Sequence, residues 1–217
     1  MKHFINLDDL SNHDLTGIID NAIALKKQHQ AGEINQQLKN KTLAMIFDKS
    51  STRTRVSFEA GMTQLGGHAL FLSDRDIQLG RGEPVKDTAI VISSMVDIIM
   101  MRVSSHDDIN TFANNGSVPI INALSDESHP CQLLADMMTY QEHKGSIQGK
   151  TVAWIGDGNN MCHTYMQAAK AFGFKLNIAT PKGYEPEQEF IDNYSEYISL
   201  FNQASEACKQ ADLVVTD

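Results

Sequence analysis

The segment SSTRTR places hydroxyl and guanidinium groups directly after a buried apolar run that ends at Phe47. A helical pattern begins at Thr54, so residues 51–54 fall at a helix N-terminus. Free backbone N–H groups point outward there, and the helix end carries about half a positive charge. Hydroxyl donors and the planar fork of an arginine complement such an end for binding phosphate. We interpret this segment as an oxyanion site; the alternative is a capped helix with solvated arginines.

The two arginines of this segment have different predicted roles. Arg53 and Arg55 are two residues apart, so on a helix their side chains face different directions. We expect Arg53, nearer the helix end, to contact the ligand and Arg55 to form a structural ion pair. The segment lacks the GxxxxGK[ST] pattern and is therefore not a P-loop.

Two later strands deliver further polar groups. Arg102 closes the run DIIMMR, and the motif HPCQ (His129–Gln132) follows VPIIN and opens a helix. An imidazole is switchable near neutral pH, and an amide both donates and accepts hydrogen bonds. Taken singly, His129 fits a packed or capping role as well as a catalytic one. An arginine in the position of Arg102 is more often a surface charge than a ligand contact. Because carboxyl ends of parallel strands present ligand groups at one edge, the three segments together predict convergence on one small anion.

Strands and helices must alternate to position these groups. We predict strands at 42–47, 68–72, 97–102, 118–122, 151–155, 175–180 and 212–216. Helices are predicted near 12–25 and at 54–65, 85–95, 107–114, 131–143 and 160–172, with a long helical segment before the last strand. This alternation indicates an α/β fold with parallel sheets and helices on both faces.

The string KGSIQGK (residues 144–150) is interpreted as a linker. It divides the chain into two doubly wound parallel-sheet domains, residues 1–145 and 146–217, of which we expect the second to be incomplete. No internal repeat was recognised.

Composition excludes several classes of partner. The chain has 217 residues, 27 acidic against 18 basic, and a net charge of -9, which argues against nucleic acid and anionic membranes. Three cysteines without a CxxC pair, Cys131, Cys162 and Cys208, argue against disulfides and structural zinc and suit a reducing cytosol. We expect no metal site, and interpret the sequence HDD at 106–108 as the polar start of a helix. The N-terminus has no signal-like apolar stretch, so a cytoplasmic location is expected.

These motifs resemble those of the aspartate/ornithine carbamoyltransferases: STRTR after the first strand, an arginine closing the third, and HPCQ after the fourth. GDGNNM (residues 156–161) resembles the ornithine branch, and the intact Thr52 differs from the acetylornithine branch. The resemblance implies carbamoyl transfer from carbamoyl phosphate to the δ-amine of L-ornithine, giving citrulline and phosphate. It also implies a homotrimer without a cofactor. Between the two roles open to such an enzyme, arginine biosynthesis and arginine breakdown, we expect biosynthesis because it is the commoner.

The resemblance also implies roles for individual residues. The implied carbamoyl-phosphate contacts are Ser51, Thr52, Arg53, Thr54, Gln78, Arg102, His129 and Gln132. Of these, Arg53, Arg102 and His129 are the implied catalytic residues, and Asn160 and Asp217 match ornithine contacts. A donor aimed at the oxygen that gains charge is typically worth about 2.7–4 kcal/mol in the transition state. No covalent intermediate is required, so we interpret Cys131 as a packed residue.

Family members are expected to continue past Asp217 with SMG and HCLP segments, which do not occur here. We therefore expect a C-terminally truncated chain that binds carbamoyl phosphate weakly and is inactive alone. The alternatives are another amine acceptor such as putrescine, and a catalytically incomplete carbamoyl-phosphate-binding fragment. A dinucleotide-binding protein is suggested by WIGDGNNM, although Met161 replaces the third glycine of the fingerprint.

Overall fold

The computed structural model describes residues 2–73 and 82–217. Within these ranges lie a short 3-10 helix, Leu7–Asp9, and eight α-helices: α1 Asn12–Gln30, α2 Thr52–Gln64, α3 Val85–Ser93, α4 His106–Asn115, α5 Pro130–Lys144, α6 Asn160–Phe172, α7 Gln188–Asn193 and α8 Ala204–Ala207. The strands are β1 Thr42–Phe47, β2 His68–Ser73, β3 Ile98–Arg102, β4 Ile120–Leu124, β5 Thr151–Ile155, β6 Lys175–Ala179, β7 Ile198–Phe201 and β8 Leu213–Val215. No helix in the described part is long and apolar enough to cross a bilayer.

The strands form two four-stranded sheets in the orders β2-β1-β3-β4 and β7-β6-β5-β8. Every strand pairing in both sheets is parallel, which confirms the predicted α/β fold with two parallel sheets. Near the N-terminus, Phe4 extends the first sheet by pairing with Ile121 of β4.

Packing divides the chain into two units, each with one sheet. The first contains the segment ending at Ile5 together with Asp20–Asp126, and the second contains Asn6–Ile19 together with Glu127–Asp217. The predicted domain boundary between residues 145 and 146 stays a prediction.

The central strands of the first sheet are buried on both faces. Side chains alternate along a strand, so Ile46 and Ile99 face one apolar cluster while Met45 and Met100 face another. The first cluster includes Phe112 of α4, and the second includes Met62 of α2. Coverage of both faces explains why these strands are continuous apolar runs in the sequence.

The two sheets share one arrangement of an aspartate, a backbone N–H and a lysine at the amino end of a central strand. In the first, the Asp97 carboxylate accepts the N–H of Thr42 at 2.8 Å and pairs with the preceding lysine at 2.7 Å. In the second, Asp212 accepts the N–H of Thr151 at 2.9 Å and pairs with the preceding lysine at 3.5 Å. The hydrogen bond from Lys41 lowers the pKa of Asp97. The hydrogen bond from the Thr151 backbone lowers the pKa of Asp212.

The prediction of one long helical segment before the last strand is wrong. This region contains the short helices α7 and α8, and between them β7, which pairs in parallel with β6. β7 is an edge strand with Ser199 and Leu200 exposed, so it lacks the uninterrupted apolar run of the buried strands. Helix α2 begins at Thr52, two residues earlier than predicted.

We predict that Ile99→Ala lowers the free energy of unfolding by about 2–5 kcal/mol, because it removes fully buried methylene groups from β3. The matched control is Ile34→Ala, where the side chain is 87% exposed and the change should stay within about 0.5 kcal/mol. Urea denaturation followed by circular dichroism measures both. Equal losses in the two variants would contradict the assignment of β3 to the core.

Candidate functional site

The carboxyl edge of the first sheet brings two predicted site residues together. β1 and β3 end level, with Phe47 paired to Arg102, and α2 begins five residues after β1. Arg102 Nη1 donates a hydrogen bond to Thr54 Oγ1 at 3.1 Å. Ser51 is the N-cap residue of α2, and its side chain makes no capping hydrogen bond within the described residues. The hydroxyl-rich first turn of α2 therefore lies beside the arginine that closes β3.

The guanidinium group of Arg102 lies in an unfavourable environment at this edge. Burial is the main cause that lowers the pKa of Arg102, and the positive charge of Arg53 lowers it further. The Asp48 carboxylate opposes both effects. Arg102 Nε is buried and has no hydrogen-bond partner among the described residues. An oxyanion bound here would relieve the repulsion between the two cations.

Arg55 has a different environment, as predicted. Its Nε donates to Glu59 Oε1 at 2.9 Å, and its guanidinium carbon lies 3.7 Å from the centre of the Phe71 ring. The predicted structural ion pair of Arg55 is confirmed.

Asp48 is a residue of this edge that sequence reasoning missed. Its carboxylate accepts the N–H of Ser104 at 2.6 Å, and its own N–H donates to the Arg102 carbonyl oxygen at 3.2 Å. Asp48 thus ties the segment after β1 to the end of β3 and the segment that follows it, on either side of Val103. The available signal was a carboxylate immediately before a run of hydroxyls and guanidiniums.

In the second unit, the N-termini of α5 and α6 are joined through one hydroxyl. His129 is the N-cap residue of α5, and its N–H donates to Thr164 Oγ1 at 2.8 Å. Thr164 Oγ1 in turn donates to the carbonyl oxygen of Asn160 at 2.6 Å. This hydroxyl therefore links the predicted carbonyl-contacting segment to the predicted ornithine-contacting segment.

Cys131, two residues after His129, is not an activated nucleophile. Burial raises the pKa of the Cys131 thiol to about 12. Thiolate, the reactive form, is therefore rare at neutral pH.

The first turn of α6 contacts the end of the chain through an unpredicted residue. Asn159 caps α6, with its Oδ1 accepting the N–H groups of Met161 and Cys162 at 3.0 and 3.2 Å. Its Nδ2 donates to Asp217 Oδ2 at 3.1 Å. Asn160 begins α6, so both predicted ornithine contacts, Asn160 and Asp217, follow neighbouring strands, β5 and β8. The doubled asparagine was visible in the sequence, but not which of the two side chains caps the helix.

The glycines of GDGNNM have structural explanations. Gly156 has φ of 145°, in the region that favours glycine. Gly158 donates its N–H to the Tyr184 carbonyl at 2.8 Å, and a Cβ on it would lie 2.1 Å from the nitrogen of Pro186. In a dinucleotide fold this glycine lets the pyrophosphate approach. Here the chain itself occupies that side, which disfavours the dinucleotide alternative.

His163 on α6 supports the segment that packs over Gly158. It is buried, stacks on Phe190 with ring centres 3.9 Å apart, and its Nε2 accepts the N–H of Glu187 at 3.3 Å. Burial lowers the pKa of His163, whereas the negative charge of Glu187 and a hydrogen bond to the backbone of Glu127 act in the opposite direction. Only the neutral imidazole ring can accept the hydrogen bond from the Glu187 N–H.

The predicted site residues are distributed over both units. Residues 51–54 and Arg102 belong to the first unit, whereas His129, Gln132, Asn160 and Asp217 belong to the second. Gln78 lies outside the described residues. Convergence of the whole set on one ligand stays a prediction.

Comparison with known proteins defines the class. The family model for the aspartate/ornithine carbamoyltransferase, carbamoyl-P binding domain matches residues 2–142. The model for the aspartate/ornithine carbamoyltransferase, Asp/Orn binding domain matches residues 148–217. The chain therefore belongs to the aspartate/ornithine carbamoyltransferase family.

Individual relatives narrow the similarity to one branch. An ornithine carbamoyltransferase from Ruthia magnifica subsp. Calyptogena magnifica is 78% identical over all 217 residues, which span 73% of that protein. The crystal structure of ornithine carbamoyltransferase from Burkholderia thailandensis E264 superposes with a TM-score of 0.96 at 52% identity, covering all of this chain and 75% of that one. An anabolic ornithine carbamoyltransferase from Campylobacter jejuni matches with a TM-score of 0.91 at 46% identity, covering all of this chain and 73% of the other.

We predict that His163 makes stability depend on pH below neutrality. At pH values above the ordinary histidine pKa of 6.5, the ring is neutral in both the folded and the unfolded chain. It then contributes no pH dependence to the free energy of unfolding. As pH falls below 6.5, the unfolded chain takes up a proton that the folded chain resists, so stability falls. His163→Gln, which can still accept from Glu187, should show a flatter loss of melting temperature between about pH 7 and 5. The control His29→Gln, at an exposed position of α1, should follow the wild-type profile, and an unchanged profile in His163→Gln would contradict the assignment.

A second prediction separates the two arginines of α2. Arg53→Gln should weaken carbamoyl-phosphate binding about tenfold or more, because it removes a charge-assisted contact, whereas Arg55→Gln should change it by less than about threefold. Isothermal titration calorimetry measures both dissociation constants. Equal weakening in the two variants would show that the charge of the helix end matters and the direction of Arg53 does not.

Proposed function

We propose that the chain transfers the carbamoyl group of carbamoyl phosphate to the δ-amine of L-ornithine, giving citrulline and phosphate. The observation that carries this proposal is the pairing of Arg102 with Thr54 beside Arg53, which forms a cationic edge suited to a phosphate next to a polarised carbonyl. The family models and the relatives named ornithine carbamoyltransferase support it.

The proposed chemistry is a direct displacement at the carbamoyl carbon. The neutral amine of ornithine attacks that carbon, a C–N bond forms, and the bond from carbon to the phosphate oxygen breaks. The proton that the amine loses is taken up by the departing phosphate, so no further acceptor is needed. Ser51, Thr52, Arg53 and Thr54 hold the phosphate, and the positive charge of Arg53 neutralises it as it leaves. Thr54, Arg102 and His129 donate to the carbonyl oxygen while it gains negative charge. Gln132 and Gln78 contact the carbamoyl phosphate as well. No step requires a metal or a cofactor.

The acceptor is proposed to be ornithine and not putrescine. Ornithine carries an α-ammonium and an α-carboxylate, which putrescine lacks. The Asp217 carboxylate suits the ammonium, and the Asn160 amide can donate to the carboxylate. Both residues follow the carboxyl ends of adjacent strands of the second sheet. GDGNNM and the second family model agree with an amino-acid acceptor.

We further propose a homotrimer that acts in the cytoplasm in arginine biosynthesis. Large apolar side chains are exposed on the first unit: Val56, Leu70, Ile90, Val91 and Met95. Exposed apolar surface of this kind favours association with further copies of a chain. The anabolic description of the Campylobacter jejuni relative agrees with a biosynthetic role.

A thermal-shift series tests the substrates. Carbamoyl phosphate should stabilise the 217-residue chain, by about 2.7 kcal/mol at a hundredfold excess over its dissociation constant. Adding L-ornithine should raise the melting temperature further, and adding putrescine should raise it less. Citrulline measured in the same samples reports turnover; the expectation that these residues alone form none stays a prediction.

Three results would contradict the proposal. An equal shift with inorganic phosphate would favour a phosphate-responsive binding module. Putrescine matching ornithine would favour the other acceptor. A change in NADH fluorescence on mixing would favour the dinucleotide alternative.

A further inference from the structure

Gln132 is held in one orientation by a carboxylate one turn further along α5. Its Nε2 donates to Asp136 Oδ1 at 2.9 Å. A carboxylate only accepts hydrogen bonds, so the nitrogen of the amide must face Asp136. The opposite orientation would place the Gln132 carbonyl oxygen against a negative charge. The amide oxygen, Oε1, is therefore the atom turned away from Asp136.

The carboxylate of Asp136 is itself held in place by a hydrogen bond to its other oxygen, Oδ2. Tyr165 donates its hydroxyl to Asp136 Oδ2 at 2.9 Å, so each carboxylate oxygen has one donor. Tyr165 is buried and its ring lies 5.6 Å from that of Trp154. Burial, together with the neighbouring Asp136, raises the pKa of Tyr165, so its hydroxyl remains a donor. The rigid core of the second unit thus sets the direction of an exposed side chain.

We propose that Asp136 is a positioning residue that sets the substrate preference of Gln132. With Nε2 committed to Asp136, Gln132 offers the ligand an acceptor, and an acceptor selects a group that carries N–H. The carbamoyl group has such a donor in its NH₂, whereas the otherwise similar acetyl group has a methyl. The inference rests on the proposed function, in which Gln132 contacts the carbamoyl end of the substrate.

The energetic role of Asp136 is preorganisation. A glutamine free to rotate would have to be ordered on binding, which costs about 0.5–1.5 kcal/mol, or about two- to twelvefold in affinity. Asp136 and Tyr165 order it before the ligand arrives. The benefit applies only to a ligand that uses Oε1, so it appears in the preference between ligands.

The test compares carbamoyl phosphate with acetyl phosphate by calorimetry on the 217-residue chain. The wild type should bind carbamoyl phosphate about three- to tenfold more tightly than acetyl phosphate, the range of one net hydrogen bond. In Asp136→Leu this ratio should fall close to one. Removing the negative charge changes the affinity of both anions alike, so the ratio is insensitive to it. Asp136→Asn, whose amide can accept from Nε2 or donate to Oε1, should give an intermediate ratio.

Further variants isolate the mechanism. Gln132→Leu should abolish the preference, and adding Asp136→Leu to it should change the ratio no further, because Asp136 acts through Gln132. Tyr165→Phe keeps the ring against Trp154 and should lower the ratio less than Asp136→Leu does. It serves as the second route should Asp136→Leu fail to fold.

The chain offers a matched control on α7. Gln188 Nε2 donates to Asp192 Oδ1 at 2.7 Å with the same four-residue spacing. Asp192→Leu should leave the preference between the two ligands unchanged.

The outcomes separate the inference from the proposed function. If the wild type binds neither ligand, or binds both equally, the proposed role of Gln132 fails and the inference fails with it. If Gln132→Leu loses the preference and Asp136→Leu keeps it, the inference alone is overturned. If Asp136→Leu weakens both ligands equally, Asp136 is only structural and the inference is likewise overturned.

Discussion

The repulsion between two guanidinium groups is the constraint on which the first half of the site depends. Arg53 lies in the first turn of α2 and Arg102 at the end of β3, where burial lowers the pKa of Arg102 and the positive charge of Arg53 lowers it further. Partial burial of the Arg102 guanidinium costs free energy unless an opposite charge or a hydrogen-bond acceptor compensates it. Asp48 compensates in part, and the remaining positive charge defines what the edge can bind: a small anion.

The parallel register of β1 and β3 makes this juxtaposition possible. The two strands are tied together at both ends by carboxylates, Asp97 at the amino edge and Asp48 at the carboxyl edge. A slip of one residue would break both ties and turn Arg102 to the other face of the sheet. The position of Arg102 therefore depends on Asp97 and Asp48 as well as on its own strand.

The second sheet shows part of the same construction, in a short sequence repeat that is not evident from the sequence alone. Residues 41–48 read KTLAMIFD and residues 150–157 read KTVAWIGD, identical at Lys, Thr, Ala, Ile and Asp. In both, the lysine and threonine engage an aspartate that precedes a neighbouring strand. Eight residues are too few for the match to stand out in sequence. The two segments are equivalent because of their contacts with Asp97 and Asp212, which are distant from them in the chain.

Sequence was most informative where burial dictates composition. The strands β1 and β3 are continuous apolar runs because helices cover both faces, and they were predicted with little error. β7 was missed because an edge strand is half exposed and has no such run. Residue type and spacing predicted that Thr54 and Arg102 lie together, and the hydrogen bond between them agrees. Asp48, Asn159 and Asp136 were not, since their roles depend on side-chain direction and on partners from other elements.

Within the second unit, polar bridges make functional segments dependent on one another. Thr164 accepts from the backbone of His129 and donates to the backbone of Asn160, so the starts of α5 and α6 share one hydroxyl. Asp136 similarly connects Gln132 on α5 with Tyr165 on α6. Two independent bridges between the same helices restrict rotation as well as separation, because a single bond leaves a pivot. The side chains that α5 presents are therefore oriented by α6, whose residues 161–169 are buried.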